Sequence, residues 1–311
     1  MEQGYSVETK IPAGFTPAHD FFLFNDTNHL KLQADEWLHI YLLKRVTQKI
    51  MAQVSFHIRD HRALTPFRAP FGSFSYSQQL SPLLLYQFIQ ECENLLKKRN
   101  VGMIVIKEPP LSYRTNGELL HTILLNLGYK VELAEVSTGI TVDQSFFEEK
   151  IASGEKGKLM LAKRKGFLFK KIPLSELENV YNFILTCRTQ RDQSLSMTFE
   201  QLAPTVESFK NSFVLSGVYL QKEMVAAAIS IHINSWILYN FYLGHLKKFD
   251  SVSPAVMLIN GIYKYCKSNQ VKLLDLGTSA LEGQPNFSLL DFKLRLGSVP
   301  SMKLTFEKKL T

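Results

Sequence analysis

Cysteine is scarce and scattered in this chain. Cys92, Cys187 and Cys266 are the only three in 311 residues. Each lies in a stretch with helical apolar spacing, so they read as buried reduced thiols rather than a disulfide frame or a nucleophile. No Cys/His cluster has metal-ligand spacing, and no metal is expected. Long apolar runs are also lacking. Nowhere do eighteen uncharged apolar residues follow one another, which excludes a membrane-crossing helix on length alone. Met1 to Lys10 has no apolar run after a basic one, so no secretory leader is expected and the chain reads as cytoplasmic. Acidic residues are short in one half only. Residues 1–150 hold 15 Lys+Arg against 16 Asp+Glu, and the remainder 21 against 12. The excess positive charge thus falls in the second half, where it suits a polyanionic or phosphate-bearing ligand or, equally, solubility.

What is present is ordinary for a globular protein with real cores: 45% apolar and 21% charged residues, in a length comfortable for two domains. In the second half, Leu174 to Gln190 has helical spacing, with Leu177, Val180, Tyr181, Ile184 and Leu185 on one face. Phe199 to Phe209 predicts a second helix. Ser212 to Leu220, Met224 to Ile233 and Trp236 to Leu243 predict three strands joined by short polar turns. A helix over Ser253 to Asn269, a buried strand over Val271 to Leu276, a helix around 288–296 and a strand over Met302 to Glu307 complete the pattern.

The first half repeats much of this. Ser55-Phe56-His57-Ile58 matches Ser230-Ile231-His232-Ile233 at an offset of 175, and Ser81-Pro82 matches Ser253-Pro254 at 172. Val101 and Val271 each open a strand at 170, and Leu127-Gly128 and Leu296-Gly297 each close a helix at 169. The offset drifts in one direction, as small loop deletions would produce, so a tandem duplication is expected.

The order strand–strand–strand–helix–strand–helix–strand resembles that of GNAT acyltransferases. Two stretches narrow the resemblance. Lys158 to Gly166 is similar to the basic helix that joins the halves of FemAB-like proteins. Leu274-Asp275-Leu276-Gly277, followed by Leu290-Asp291-Phe292-Lys293 and Gly297, is similar to the closing pattern of that family. The resemblance covers residues 20 to 309 or so. It implies an α/β protein with mixed sheets and two tandem GNAT-like domains: a degenerate first copy over 1–150, a basic linker helix over 151–173, and a second copy over 174–311 with the site. It also implies a transferase that moves an acyl or aminoacyl group to an amine without a covalent enzyme intermediate. The alternatives are an aminoacyl-tRNA-dependent transferase acting on a peptidoglycan-type precursor and a silent ligand-binding member.

Acyl transfer needs a held donor, N–H groups for the oxyanion and a proton acceptor for the amine. Ser253-Pro254 opens a helix as a good N-cap followed by proline at its first position, offering an anion site, with Lys247 and Lys248 just upstream. Acetyl-CoA-using GNATs usually carry a glycine-rich pyrophosphate loop here, but no glycine lies between Gly244 and Ala255. Acyl-CoA is therefore an atypical donor, and charged tRNA fits the departure. The strand over Trp236 to His245 alternates in two sets. Trp236, Leu238, Asn240, Tyr242 and Gly244 share one face, and Ile237, Tyr239, Phe241, Leu243 and His245 the other. Tyr239, Asn240 and Tyr242 are candidates to orient a ligand, or else core aromatics with satisfied hydroxyls. His245, at the strand's end, is a candidate proton acceptor or an exposed loop histidine. Asp275 is a base or amine anchor, or simply the former of its own turn. Lys293 is a stabiliser of developing negative charge, or a solvated helix lysine. Their counterparts in the first half are Val105 and Leu124, which points to the second half as the site, with both side chains expected in one cleft at the junction of the halves.

Two further features stand out. Pro66 to Phe74 combines aromatics, prolines and Arg68 in one loop, as a packed plug or a ligand wall, at the same sheet end as Lys107 to Tyr113. The linker carries Lys156, Lys158, Lys163, Arg164, Lys165, Lys170 and Lys171. It reads as a solvated amphipathic face or as a phosphate track for tRNA, a nucleotide-linked sugar or an anionic membrane surface.

Overall fold

Alternating and continuous apolar runs here become strands, and the runs of helical period become helices that cover them. A computed structural model describes residues 3–281 and 284–310. In chain order the main strands are β1 (Tyr5–Glu8), β2 (Leu38–Lys44), β3 (Lys49–Arg59), β4 (Arg62–Thr65), β5 (Met103–Lys107), β6 (Lys130–Thr141), β7 (Phe167–Ile172), β8 (Phe213–Leu220), β9 (Glu223–His232), β10 (Ile237–His245), β11 (Leu273–Thr278) and β12 (Val299–Lys309). The main helices are α1 (Pro82–Lys97), α2 (Gly117–Asn126), α3 (Ser153–Arg164), α4 (Leu177–Thr189), α5 (Phe199–Ser208), α6 (Pro254–Ser268) and α7 (Phe287–Arg295). No helix among the described residues is long and apolar enough to cross a membrane.

The chain forms two compact units. One runs to Glu135 and resumes at Ser301; the other spans Val136–Pro300. In the first, β2, β3 and β4 are antiparallel neighbours, and β4 runs parallel to β5 over Arg62↔Met103 to Thr65↔Ile106. In the second, β8, β9 and β10 are antiparallel, and β10 runs parallel to β11 over Ile237↔Leu273 to Tyr239↔Asp275. Between the paired strands stand α1 and α6, directly after Ser81 and Ser253. The two units therefore repeat one topology, an α/β fold with mixed sheets.

The unit boundaries differ from the expected break near residues 150–173. β12, the last strand of the second repeat, lies beside β5 of the first unit, with Thr305↔Lys107 to Lys309↔Met103 in antiparallel register. Residues of β6, the last strand of the first repeat, lie beside β11, with Leu273↔Thr141 to Asp275↔Gly139. The repeats have exchanged their closing strands. The linker helix expected over 151–173 ends at Arg164, because Phe167–Ile172 pairs with β8 as strand β7, and it is no free connector. Leu159 and Ala162 of α3, with Phe167 of β7, are buried in the second unit's core. Two of its basic residues are paired, Lys158 with Glu155 at 3.1 Å and Lys163 with Glu148 at 2.6 Å.

Three local expectations are corrected. Ser81 caps α1, its Oγ accepting from Leu84 N at 3.3 Å, but Ser253 makes no side-chain cap. Its backbone is left-handed at φ 52°, which turns its side chain away from the first turn. On α4, Cys187 is buried where Leu185 was expected on the apolar face. In β10, strict alternation fails. Asn240 pairs with Ser230 but Tyr242 with Ile229, so Phe241 is an extra residue opposite β9. This bulge reverses the faces. Asn240 shares a face with Leu243 and His245, and Tyr239 with Tyr242 and Gly244.

Gly244 lets α4 lie close to β10. A Cβ there would stand 3.0 Å from both Ile184 Cα and Cys187 Cβ. Because the neighbours are largely backbone, they cannot easily give way. Gly244→Ala is expected to lower unfolding free energy by about 1–3 kcal/mol, as read by urea denaturation. An unchanged midpoint would show that the helix and strand can part without cost.

Candidate functional site

Parallel strands β10 and β11 pair over only three residues, although β10 continues to His245 and β11 to Thr278. Where they part, a cavity of about 370 Å³ opens in the second unit, within the size range of small-ligand sites. Its walls come from α4, β10, β11, α7 and the start of α6. Phe241, Ile259, Leu276, Leu289, Phe292 and Leu296 make the apolar part. Arg188, Arg191, His245 and Lys293 supply the basic groups, and no carboxylate lines it among the described residues.

Lys293 is buried, and its Nζ donates to the carbonyl oxygens of Gly277 at 2.9 Å and Thr278 at 2.8 Å. It is therefore neither solvated nor loose. Burial lowers its pKa to about 8; Asp275 opposes the shift and Arg188 adds to it. His245 shares its Nε2 with Asp250 Oδ1 at 2.9 Å and Arg191 Nη2 at 3.1 Å. Burial first, then Arg191, holds its pKa below the usual histidine value, so the imidazole is neutral at neutral pH. Tyr239 and Asn240 also line the cavity, with Ser230 Oγ donating to Asn240 Oδ1 at 3.5 Å. Cys187 lines it as well, but burial pushes its thiol up to about 11, out of thiolate chemistry at neutral pH.

Other predicted residues are placed elsewhere. Asp275 is buried in β11, where Oδ1 accepts from Gly277 N at 2.7 Å and Ser137 Oγ at 3.2 Å. It is not among the lining residues; it shapes the turn on which Lys293 is anchored. The Tyr242 hydroxyl is taken by Met197 N at 3.0 Å and Ser196 Oγ at 2.7 Å, tying down the segment after α4. Lys247 and Lys248 are exposed, and Lys248 pairs with Glu223 at 2.6 Å. Ser253 is buried with its N–H bonded to Phe249 O at 3.0 Å. Arg68 belongs to the first unit and is exposed, its guanidinium 5.0 Å from the Phe67 ring.

The first unit fills the corresponding crevice. The loop 66–74 sits on the ends of β4 and β5: Gly72 N donates to Lys107 O at 3.0 Å and Ser73 N to Thr65 Oγ1 at 3.0 Å. Phe71 packs edge-on against Phe22, Phe24 and Tyr113, with centroids 5.1–5.5 Å apart. Beneath it, buried Glu108 accepts from Ser73 and from Arg114 Nη1 at 3.0 Å. The loop is a packed plug. Val105 and Leu124, the counterparts of Asp275 and Lys293, fall in β5 and α2 as the repeat requires, and Leu124 is fully buried.

Arg188 and Arg191 were not anticipated. They look like the basic last turn of an ordinary helix, which the macrodipole favours. The available signal is that Ile184, Cys187, Arg188 and Arg191 continue one face at spacings of three and four, so charge runs along a buried stripe.

The lysine gives a pH test. Between pH 8 and its ordinary 10.5, the unfolded chain holds a proton that the folded chain lacks, so stability rises with pH across that window. Below pH 8 the cost of the buried charge, on the order of 3 kcal/mol, is present in full. Wild type is therefore expected to gain stability relative to Lys293→Met between pH 7 and pH 10 in urea titrations. Parallel pH profiles would mean that Lys293 titrates normally.

No model of a known protein family matches the chain, and no curated protein does. Among solved structures, FemX superposes with a TM-score of 0.72 at 12% identity, covering 94% of each chain. L-PGS from Bacillus licheniformis gives 0.59 at 14% identity over 92% of this chain and 88% of its own. A tandem GNAT protein from the clavulanic acid biosynthesis pathway gives 0.52 at 9% identity over 89% and 83%. At such identities the likeness is one of fold: this chain has the FemAB-like, tandem GNAT-type fold.

Proposed function

We propose that the second-unit cavity transfers an acyl group to an amine, by direct attack of the amine on an activated carbonyl. The observation that carries the reading is Lys293, fixed by two carbonyls at the wall of a cavity opened between parting parallel strands. Its pKa of about 8 leaves it mostly protonated at neutral pH. With two N–H bonds held by Gly277 and Thr278, the third can meet the oxyanion as charge develops on it. His245, neutral at neutral pH, is the lining group suited to accept the amine's proton, directly or through water. A covalent acyl-enzyme is disfavoured by the raised thiol of Cys187. Asp275 acts through Lys293 as a positioning residue.

For the donor, fold neighbours include FemX and a tandem GNAT protein described without AcCoA. The loop before α6 contains no glycine, and Ser253 supplies a left-handed turn where glycines would let backbone wrap a pyrophosphate. The reading therefore favours a donor other than acetyl-CoA, with an aminoacyl ester of tRNA as the foremost alternative.

Transfer assays with acetyl-CoA, longer acyl-CoAs and charged tRNA, scored by mass spectrometry of amine acceptors, test this directly. Lys293→Met is expected to lower transfer about a hundredfold or more, in the range for removal of one oxyanion donor, and acetyl-CoA to bind no tighter than about 0.1 mM. Transfer that survives Lys293→Met unchanged would remove the lysine from the chemistry. Low-micromolar acetyl-CoA binding by calorimetry would restore an ordinary acetyltransferase.

A further inference from the structure

The basic groups of the cavity divide into two pairs. Arg191 and His245 are answered by Asp250, at 2.8 and 2.9 Å. Arg188 and Lys293 have no such ion pair among the described residues, although Lys293 feels the charge of buried Asp275. Arg188 Nε donates to Leu243 O at 3.1 Å and its Nη1 to Gln193 Oε1 at 2.7 Å. Lys293 donates, among the described residues, to two carbonyl oxygens. All four acceptors are neutral, and among the described residues neither cation has a carboxylate within ion-pair distance. A half-buried guanidinium that faces a cavity with no carboxylate beside it is costly, and Asp275, which does not line the cavity, only partly offsets the burial of the ammonium. We infer that the ligand carries an anionic group, a carboxylate or a phosphate, that pairs with Arg188 on the Lys293 side of the cavity and leaves the third Lys293 N–H to the oxyanion, with an apolar portion against Phe292, Leu289 and Ile259.

The inference rests on the cavity being the site proposed above, and it adds the chemical class of what enters. The anchoring of Nε to the Leu243 carbonyl fixes the plane of the Arg188 guanidinium, so part of its fork is pre-organised for an anion. Arg188 lowers the Lys293 pKa, so the two cations already sense one another, and an anion paired with Arg188 would relieve that repulsion. The wall opposite is apolar, so a fully hydrated ion alone is a poor occupant. An amphipathic molecule with a charged head is the better fit.

Three probes of one length separate the possibilities: hexanoate, hexyl phosphate and neutral hexanamide, at matched ionic strength. The readout is protection of Lys293 from an amine-reactive label, located by peptide mass spectrometry and titrated to give affinities. At least one anion is expected to protect Lys293 while hexanamide does not, and the stronger anion identifies the head group. Arg188→Gln should weaken that protection about ten- to a hundredfold, the span of one charge-assisted hydrogen bond. Arg188→Lys, which keeps the charge, should retain most of it. Melting curves of both variants show whether the loss of the Leu243 contact has unfolded the site; if Arg188→Gln melts early, the comparison passes to Arg188→Lys and the neutral probe. Equal protection by hexanamide, protection unchanged in a folded Arg188→Gln, or no protection by either anion overturns the inference. Each of these outcomes can occur in a protein that still transfers acyl groups, and anion selectivity can persist in one that does not.

Discussion

Two carbonyl groups and one lysine hold the second unit's site in place. When β11 leaves β10 after three paired residues, the backbone beyond loses a strand neighbour on that side. Carbonyl oxygens away from water must find donors. Lys293 supplies them for Gly277 and Thr278. Asp275 supplies the complementary acceptor for the Gly277 N–H. The parting of the strands is therefore compensated locally, and the crevice stays open instead of zipping shut. In the transfer proposed above the same lysine meets the oxyanion, so the brace and the proposed reactive group coincide.

The first unit reaches the opposite outcome with the same topology. There β4 and β5 also run parallel, but the loop after β4 folds back over their ends and fills the space with aromatic rings. Its buried charges are closed on themselves, with Glu108 answered by Arg114 and Ser73. In the second unit no carboxylate among the described residues forms a salt bridge with Arg188 or Lys293, and Asp275 only partly offsets the burial of Lys293.

Much of the second unit was legible in the chain. Periodicity located β8 to β11 and α4 to α7 to within a few residues, though it left β7 inside the expected linker helix, and the four matched landmarks exposed the repeat. Lys293 was legible from the Phe292-Lys293 pair and the loss of its counterpart in the first half. Three things were not. The Phe241 bulge depends on which residue of β9 lies opposite, and pairing register leaves no trace in one strand's alternation. The capping failure of Ser253 comes from a left-handed backbone that its Ser-Pro sequence does not require. The exchange of β6 and β12 is invisible because two repeats of one pattern offer interchangeable closing strands.

That exchange has a consequence for how the polypeptide is made. β5 acquires its antiparallel neighbour from residues 305–309, which emerge from the ribosome long after β5 itself. Closing contacts of such large sequence separation form slowly, because the loop between them must be ordered first. Domains usually fold as units in order of synthesis; here the earlier-made half must wait, one sheet edge exposed, for the end of the later one. An exposed edge strand invites pairing with other chains. The arrangement therefore makes a chain cut between the repeats two incomplete sheets rather than two domains.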